Sequence, residues 1–230
     1  MAVRLVIIGG GPAGNTAATV AASIGAEVTM IERDIIGGAA HLWDCIPSKA
    51  LVATGNELTE LALAKTMGLE ASGRLDVDAL RVRISEMEEK LRSGVTSLLE
   101  SQGVRLIRGT GRLTGAYTVA ADTAEGTEEL EADAILLSTG SRPRVPDWAE
   151  TDGERILTTR QAYPPPEIPD HLVVIGSGVT GVEQAPLPGG VVAAPGRPVV
   201  PAGLAGQSGQ GLGEPGAESV AERRLRLGQA

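Results

Sequence analysis

Val6, Ile7 and Ile8 form a short apolar run without alternation, and it stops at Gly9, Gly10 and Gly11. A parallel strand covered on both faces looks like this. The period then changes. Pro12 followed by Ala13, Ala17, Ala18, Ala21 and Ala22 predicts a close-packed helix that ends at Gly25, and Glu27 to Ile31 alternate into a second strand ending at Glu32. From Ala50 to Leu69 the apolar positions Leu51, Leu58, Leu61 and Leu63 predict a helix. A longer one runs from about Val77 to Gly103 on Leu80, Ile84, Met87, Leu91, Val95 and Leu98. Val104 to Arg108 reads as a strand, Tyr117 to Ala121 and Glu128 to Ala132 as an antiparallel pair, and Ala134 to Leu137 as another buried strand. A connecting stretch from Pro146 to Pro169 leads to one more apolar run, Leu172 to Ile175.

Two of these runs end in the same way. Gly9, Gly11 and Gly14 satisfy G-x-G-x-x-G after the first strand, and Gly176, Gly178 and Gly181 satisfy it after the last. Glycines at these places permit a tight turn, a close approach of backbone N–H groups to a pyrophosphate, and contact between helix and strand. Glu32, at the end of the second strand, is placed to accept hydrogen bonds from an adenosine ribose. A strand, a helix and a terminal acid around the first fingerprint predict an adenine dinucleotide site in an α/β, Rossmann-like domain.

Composition narrows the class. A net charge of -9 with a pI near 4.8 leaves no basic face for nucleic acid. The chain has no Phe, two Tyr and two Trp, so its core must be built from Val, Leu, Ile and Ala. One cysteine excludes an intrachain disulfide and disfavours structural zinc, and no metal site is expected. The first strand begins almost at once, without a signal segment, and no apolar run reaches membrane-spanning length. The cytoplasm is therefore the expected compartment.

The stretch from Gly37 to Lys49 reads Gly-Gly-Ala-Ala-His-Leu-Trp-Asp-Cys-Ile-Pro-Ser-Lys. It resembles the pyridine nucleotide-disulfide oxidoreductases, flavoproteins that carry a Gly-Gly pair, two cysteines four residues apart and then Ile-Pro-Ser-Lys. Cys45 to Lys49 match the second half of that motif, and Ala40 stands in place of the first cysteine. The resemblance implies that Gly9, Gly11, Pro12, Ala13, Gly14, Glu32 and Gly38 hold FAD, with Lys49 near the flavin N5 and paired to Glu183. It also implies that Gly111 touches the adenine and that Thr139, Gly140 and Ser141 close over the cofactor. Gly176, Gly178 and Gly181 would begin an NAD(P)H site.

Thiol-disulfide exchange needs two sulfurs. Ala40 therefore argues against a dihydrolipoamide dehydrogenase activity and fits the family branch that resembles NAD(P)H:quinone reductases, passing electrons from flavin to a quinone-like acceptor. For Cys45 two readings stand: an inert remnant packed near the flavin, or a thiolate favoured by a helix N-terminus.

The expected plan is an FAD-binding domain over residues 1–146, with a helical pair and a small antiparallel meander. A linker and an incomplete second Rossmann unit follow over 147–185, then a disordered Gly/Pro-rich tail over 186–230. Pro186 and Pro188 block the last helix, and beyond them there is no Ile, Lys, Asp, Asn, Thr or aromatic residue. Such a change inside a motif reads as a shifted reading frame or a truncation, with a flexible linker as the competing explanation. The family's homodimerisation domain, which supplies a His-Glu pair, has no counterpart here, and His41 and His171 are expected at the surface. A non-catalytic FAD-binding remnant is the alternative to an active enzyme.

Overall fold

The computed structural model describes residues 2–169, 172–176, 178–184, 190–194 and 197–201. Within it the elements run β1 (Arg4–Ile8), α1 (Pro12–Ser23), β2 (Glu27–Glu32), a π-helical turn (Ala40–Cys45), α2 (Ile46–Ala64), a 3-10 turn (Lys65–Met67) and α3 (Val77–Ser101). There follow β3 (Arg105–Arg108), β4 (Thr110–Leu113), β5 (Thr118–Thr123), β6 (Gly126–Glu131), β7 (Ala134–Leu137), α4 (Thr159–Ala162), β8 (Leu172–Ile175), α5 (Val179–Gln184), β9 (Gly190–Ala194) and β10 (Arg197–Pro201). They form two compact units: Met1–Pro47 with Asp78–Pro164, and Ser48–Val77 with Pro165–Ala230.

In the first unit a parallel sheet has the order β3-β2-β1-β7. Its strands carry apolar residues on both faces because both faces are covered. Val6, Ile8, Ile31 and Ile107 pack with Val119, Ala121 and Ala132 of the antiparallel meander β4-β5-β6. On the other face Ile7, Val28 and Met30 pack with Ala18 of α1 and with Leu99 and Val104 at the end of α3. Burial from two sides removes the alternation from β1, as its sequence predicts. The strand order reverses at β1, whose neighbours are β2 on one side and β7, far along the chain, on the other. In open α/β sheets the crevice at the carboxyl end of such a strand is the ligand site.

In the second unit β8 pairs with β9 in parallel, and β9 pairs with β10 antiparallel. Residues of α2 and the approach to β8 line a small apolar groove that includes Leu51, Leu58, Leu75, Ile168 and Leu172.

Two differences from the sequence expectation have physical causes. Helix α2 begins at Ile46, earlier than the expected Ala50, because the π-helical turn runs directly into it: the Ile46 N–H donates to the carbonyl of His41. Strands β9 and β10 fall inside the segment whose composition predicts no structure. Val191–Val192 and Val199–Val200 supply β-branched pairs, and Pro198 and Pro201 lie on β10, an edge strand where a missing donor costs little. His171 and residues 202–230 lie outside the described residues.

Candidate functional site

The turn after β1 is held from three directions. Gly9 adopts φ +110, a conformation that favours glycine, and its N–H donates to the carbonyl of Ile31 at 2.9 Å. A Cβ on Gly9 would overlap the carbonyl of Ser138, and one on Gly14 would overlap the carbonyl oxygen of Gly9. So β1, α1 and the end of β7 meet at van der Waals limits that side chains would break. The Ser138 hydroxyl adds a hydrogen bond to the carbonyl of Gly9 at 2.8 Å, and its backbone N–H donates to Ile8 at 2.9 Å.

Glu32 reaches back to the same turn. One carboxylate oxygen accepts the Gly10 N–H at 2.6 Å and the other accepts the Asp34 N–H at 2.7 Å. Gly37 donates its N–H to the carbonyl of Gly10 at 2.9 Å, and Gly38, at φ +75, lies so close to Gly11 that a Cβ there would overlap its Cα. The Gly-Gly pair thus seals one side of the fingerprint. Gly11 caps α1 in an extended conformation with no side-chain hydrogen bond, Pro12 opens the helix, and the first turn holds no acidic residue. The backbone N–H groups of that turn, Ala13 included, are left for a ligand of opposite charge, which fits a pyrophosphate.

Gly111 is in β4, where a Cβ would come within 2.9 Å of the Ile8 side chain and 3.2 Å of Ile31. It therefore lies within a strand over the carboxyl ends of β1 and β2. Thr139, Gly140 and Ser141 follow β7 and are exposed, with Gly140 at φ +68. Sequence reasoning missed Ser138, one residue earlier. Its signal was register: Ile8 pairs with Leu137, so the next residue along faces Gly9.

Cys45 ends the π-helical turn and is exposed; His41 in the same turn is exposed too, and Leu42 is fully buried. Pro47 and Ser48 are buried at the start of α2.

In the second unit the ammonium of Lys49 donates to both carboxylate oxygens of Glu183, at 2.7 and 2.8 Å. The glutamate side chain is the more buried partner, at 28 % against 59 %. The turn after β8 repeats a feature of the first. Gly176 takes φ +122, and a Cβ on Gly181 would overlap the Gly176 carbonyl oxygen, just as Gly14 meets Gly9. Gly178 is exposed, and Ser177 lies outside the described residues.

A family model described as pyridine nucleotide-disulphide oxidoreductase matches residues 3–187, which takes in both glycine turns and the segment between them. The chain belongs to this family. Pyridine nucleotide-disulphide oxidoreductases of this group are FAD-dependent and use NAD(P)H, and the first turn fits the FAD dinucleotide by the contacts above. A protein named NAD(P)H dehydrogenase (quinone) from Mycobacterium tuberculosis is 42% identical over 196 residues, covering 80% of this chain and 40% of that one. A dihydrolipoyl dehydrogenase from Zymomonas mobilis is 39% identical over 183 residues, covering 79% of this chain and 39% of its own length. Among solved structures, LpdA from Mycobacterium tuberculosis matches with a TM-score of 0.75 at 40% identity, covering 84% of this chain and 44% of that one. The HOCl-induced flavoprotein disulfide reductase RclA from Escherichia coli matches at 0.67 and 26%, covering 83% and 41%. The chain spans about two fifths of the length of these relatives. Among the described residues, no helix is long and apolar enough to cross a membrane.

Proposed function

We propose that the chain is the flavin-binding portion of an NAD(P)H oxidoreductase that delivers electrons to a quinone-like acceptor. The observation that carries this reading is Ala40, which leaves Cys45 as the only sulfhydryl where a dithiol relay needs two. The 42% identity to a protein named NAD(P)H dehydrogenase (quinone) supports the same choice, while other relatives are named dihydrolipoyl dehydrogenases.

FAD, when bound, accepts a hydride and passes two electrons onward. The residues of this chain have separate tasks around it. Gly9, Gly11 and Gly14 keep the turn open to the pyrophosphate, and the α1 N–H groups meet its charge. Glu32 offers a carboxylate at the ribose end and braces Gly10 at the same time. Lys49, held by Glu183, is the cation suited to balance negative charge on the ring and to orient it. Gly176, Gly178 and Gly181 begin the NAD(P)H turn. Cys45 has no partner thiol with which to form a disulfide and is assigned no redox step of its own.

The test is reconstitution with FAD followed by anaerobic addition of NADH or NADPH and then of a benzoquinone. Loss of flavin colour on the first addition and its return on the second support the reading. Colour that persists supports a second reading, an FAD-binding remnant without turnover. That reading is favoured by Pro186 and Pro188, which follow the helix begun at Val179 and block its continuation.

A further inference from the structure

The π-helical turn Ala40–Cys45 is an unusual way to enter a helix. Its wider winding packs poorly on its own, and such turns persist where neighbouring structure supports them, often at functional sites. Two side chains of this turn supply support. Leu42 is fully buried, and its methyl group would sit 3.0 Å from a Cβ on Gly37, so it fills the space beneath the Gly-Gly pair. Trp43 is half-buried, and the Arg160 guanidinium carbon lies 3.6 Å from the centre of its ring.

Arg160 belongs to α4, a helix of a single turn. Four residues cannot hold a helix by propensity. The helix is instead fixed at its start by a capping box in which the Thr158 side chain accepts the Gln161 N–H and the Gln161 side chain accepts the Thr158 N–H at 3.0 Å; Gln161 and Ala162 also donate their N–H groups to the Thr158 carbonyl at 3.1 and 3.2 Å. Two short elements 117 residues apart, taking Arg160 from Trp43, are therefore joined by one cation–π contact within the first unit.

We propose that Arg160 is a positioning residue for the turn that carries Cys45, acting through the indole of Trp43. The inference rests on the reading that flavin passes along this segment, and it adds a residue to that reading. The guanidinium keeps the indole flat against α4, the indole keeps the backbone of 40–45 in its wide turn, and the turn sets the direction in which Cys45 and the start of α2 face the ring. Lysine can replace the charge over the indole but not the flat stacking of a guanidinium, so it separates the two contributions.

The experiment uses the full chain. In a Trp148→Phe background Trp43 is the remaining tryptophan, and acrylamide quenching of its emission reads the covered ring face. Iodoacetamide labelling of Cys45 reads the turn, and the visible flavin spectrum reads the ring environment. Arg160→Ala should raise the quenching constant about twofold and change the labelling rate about fivefold, the population change that loss of one cation–π contact supports. It should also shift the flavin band. Arg160→Lys, which keeps the charge without the stacking, and Trp43→Phe, which keeps a weaker aromatic face, should each give a labelling rate between those of the parent and Arg160→Ala. If quenching rises while labelling and flavin spectrum stay unchanged, the inference is overturned, as it is if Arg160→Lys labels at the rate of Arg160→Ala. Should Arg160→Ala not fold, the Arg160→Lys and Trp43→Phe labelling rates decide: rates equal to the parent overturn it. Absence of flavin in every variant would fail the proposed function, whereas quenching and labelling of the apoprotein still judge Arg160.

Discussion

Ser138 and Gly9, 129 residues apart, are tied by a hydroxyl-to-carbonyl hydrogen bond of 2.8 Å at the mouth of the proposed FAD site. The bond fixes the glycine turn from the β7 side, where no covalent link could. Ser138→Ala removes it without adding volume, at a cost of about 1 kcal/mol. The expected result is an FAD dissociation constant raised about fivefold, read by fluorescence titration of the apoprotein, with little change in secondary structure.

The two glycine turns share the contact between third glycine and first carbonyl, so equivalent substitutions should separate their functions. Gly14→Ala places a methyl group on the Gly9 carbonyl oxygen, and the purified protein should lose flavin and melt several degrees lower. Gly181→Ala makes the same collision with Gly176, and it should leave flavin content intact while weakening bleaching by NAD(P)H. Flavin absorbance relative to protein, before and after nucleotide, gives both answers.

Lys49 is bidentate on Glu183, and a partly exposed pair of this kind contributes about 1 kcal/mol or less to stability. Lys49→Met should therefore fold and retain flavin, yet slow anaerobic bleaching by about tenfold or more if the cation balances charge on the ring. Glu183→Gln keeps the lysine but loosens it and should slow bleaching by less. Rapid mixing of both singles and the double variant measures the coupling, and an unchanged rate for Lys49→Met removes the lysine from the mechanism.

Acid sensitivity should centre on a few exposed carboxylates. The Arg4 side chain, and then its backbone N–H, hold Asp133 below the ordinary carboxylate range. Arg105 does the same for Glu128. The Thr127 hydroxyl, with Arg112, does so for Asp122. A carboxylate depressed in the folded state stabilises the fold fully above its unfolded pKa and loses that contribution as pH falls through its folded value. Melting temperature should thus be level from neutral pH down to about pH 5 and fall below about pH 4. In Asp133→Asn the plateau should be lower and the acid limb shallower. Equal limbs in parent and variant would sink the assignment.

The first unit was legible because its signals are local. Val6–Ile8 announce a strand covered on both sides, the glycines that follow announce its turn, and the meander declares itself by β-rich segments around Glu125–Gly126. Cys45 to Lys49 announced their family by residue identity, and Glu183 as partner of Lys49 came from the same resemblance. Ser138 and Arg160 were not legible, since each acts through a neighbour more than a hundred positions away and neither belongs to a motif. The π-helical turn escaped notice because six residues are too few to distinguish its period from that of an ordinary helix. Strand β10 was hidden by prolines that an edge position tolerates and a central one would not, and β9 by the Gly/Pro-rich composition around it.

Val173 and Ile175 point to the same side of β8 and stand 63% and 56% exposed. Water wets such a ribbon poorly, and among the described residues β8 has a strand beside it on one edge only. Colloidal behaviour should accordingly be governed from this end of the chain: scattering that grows with protein concentration, and a cloud point that Val173→Thr postpones while leaving the flavin content as it was.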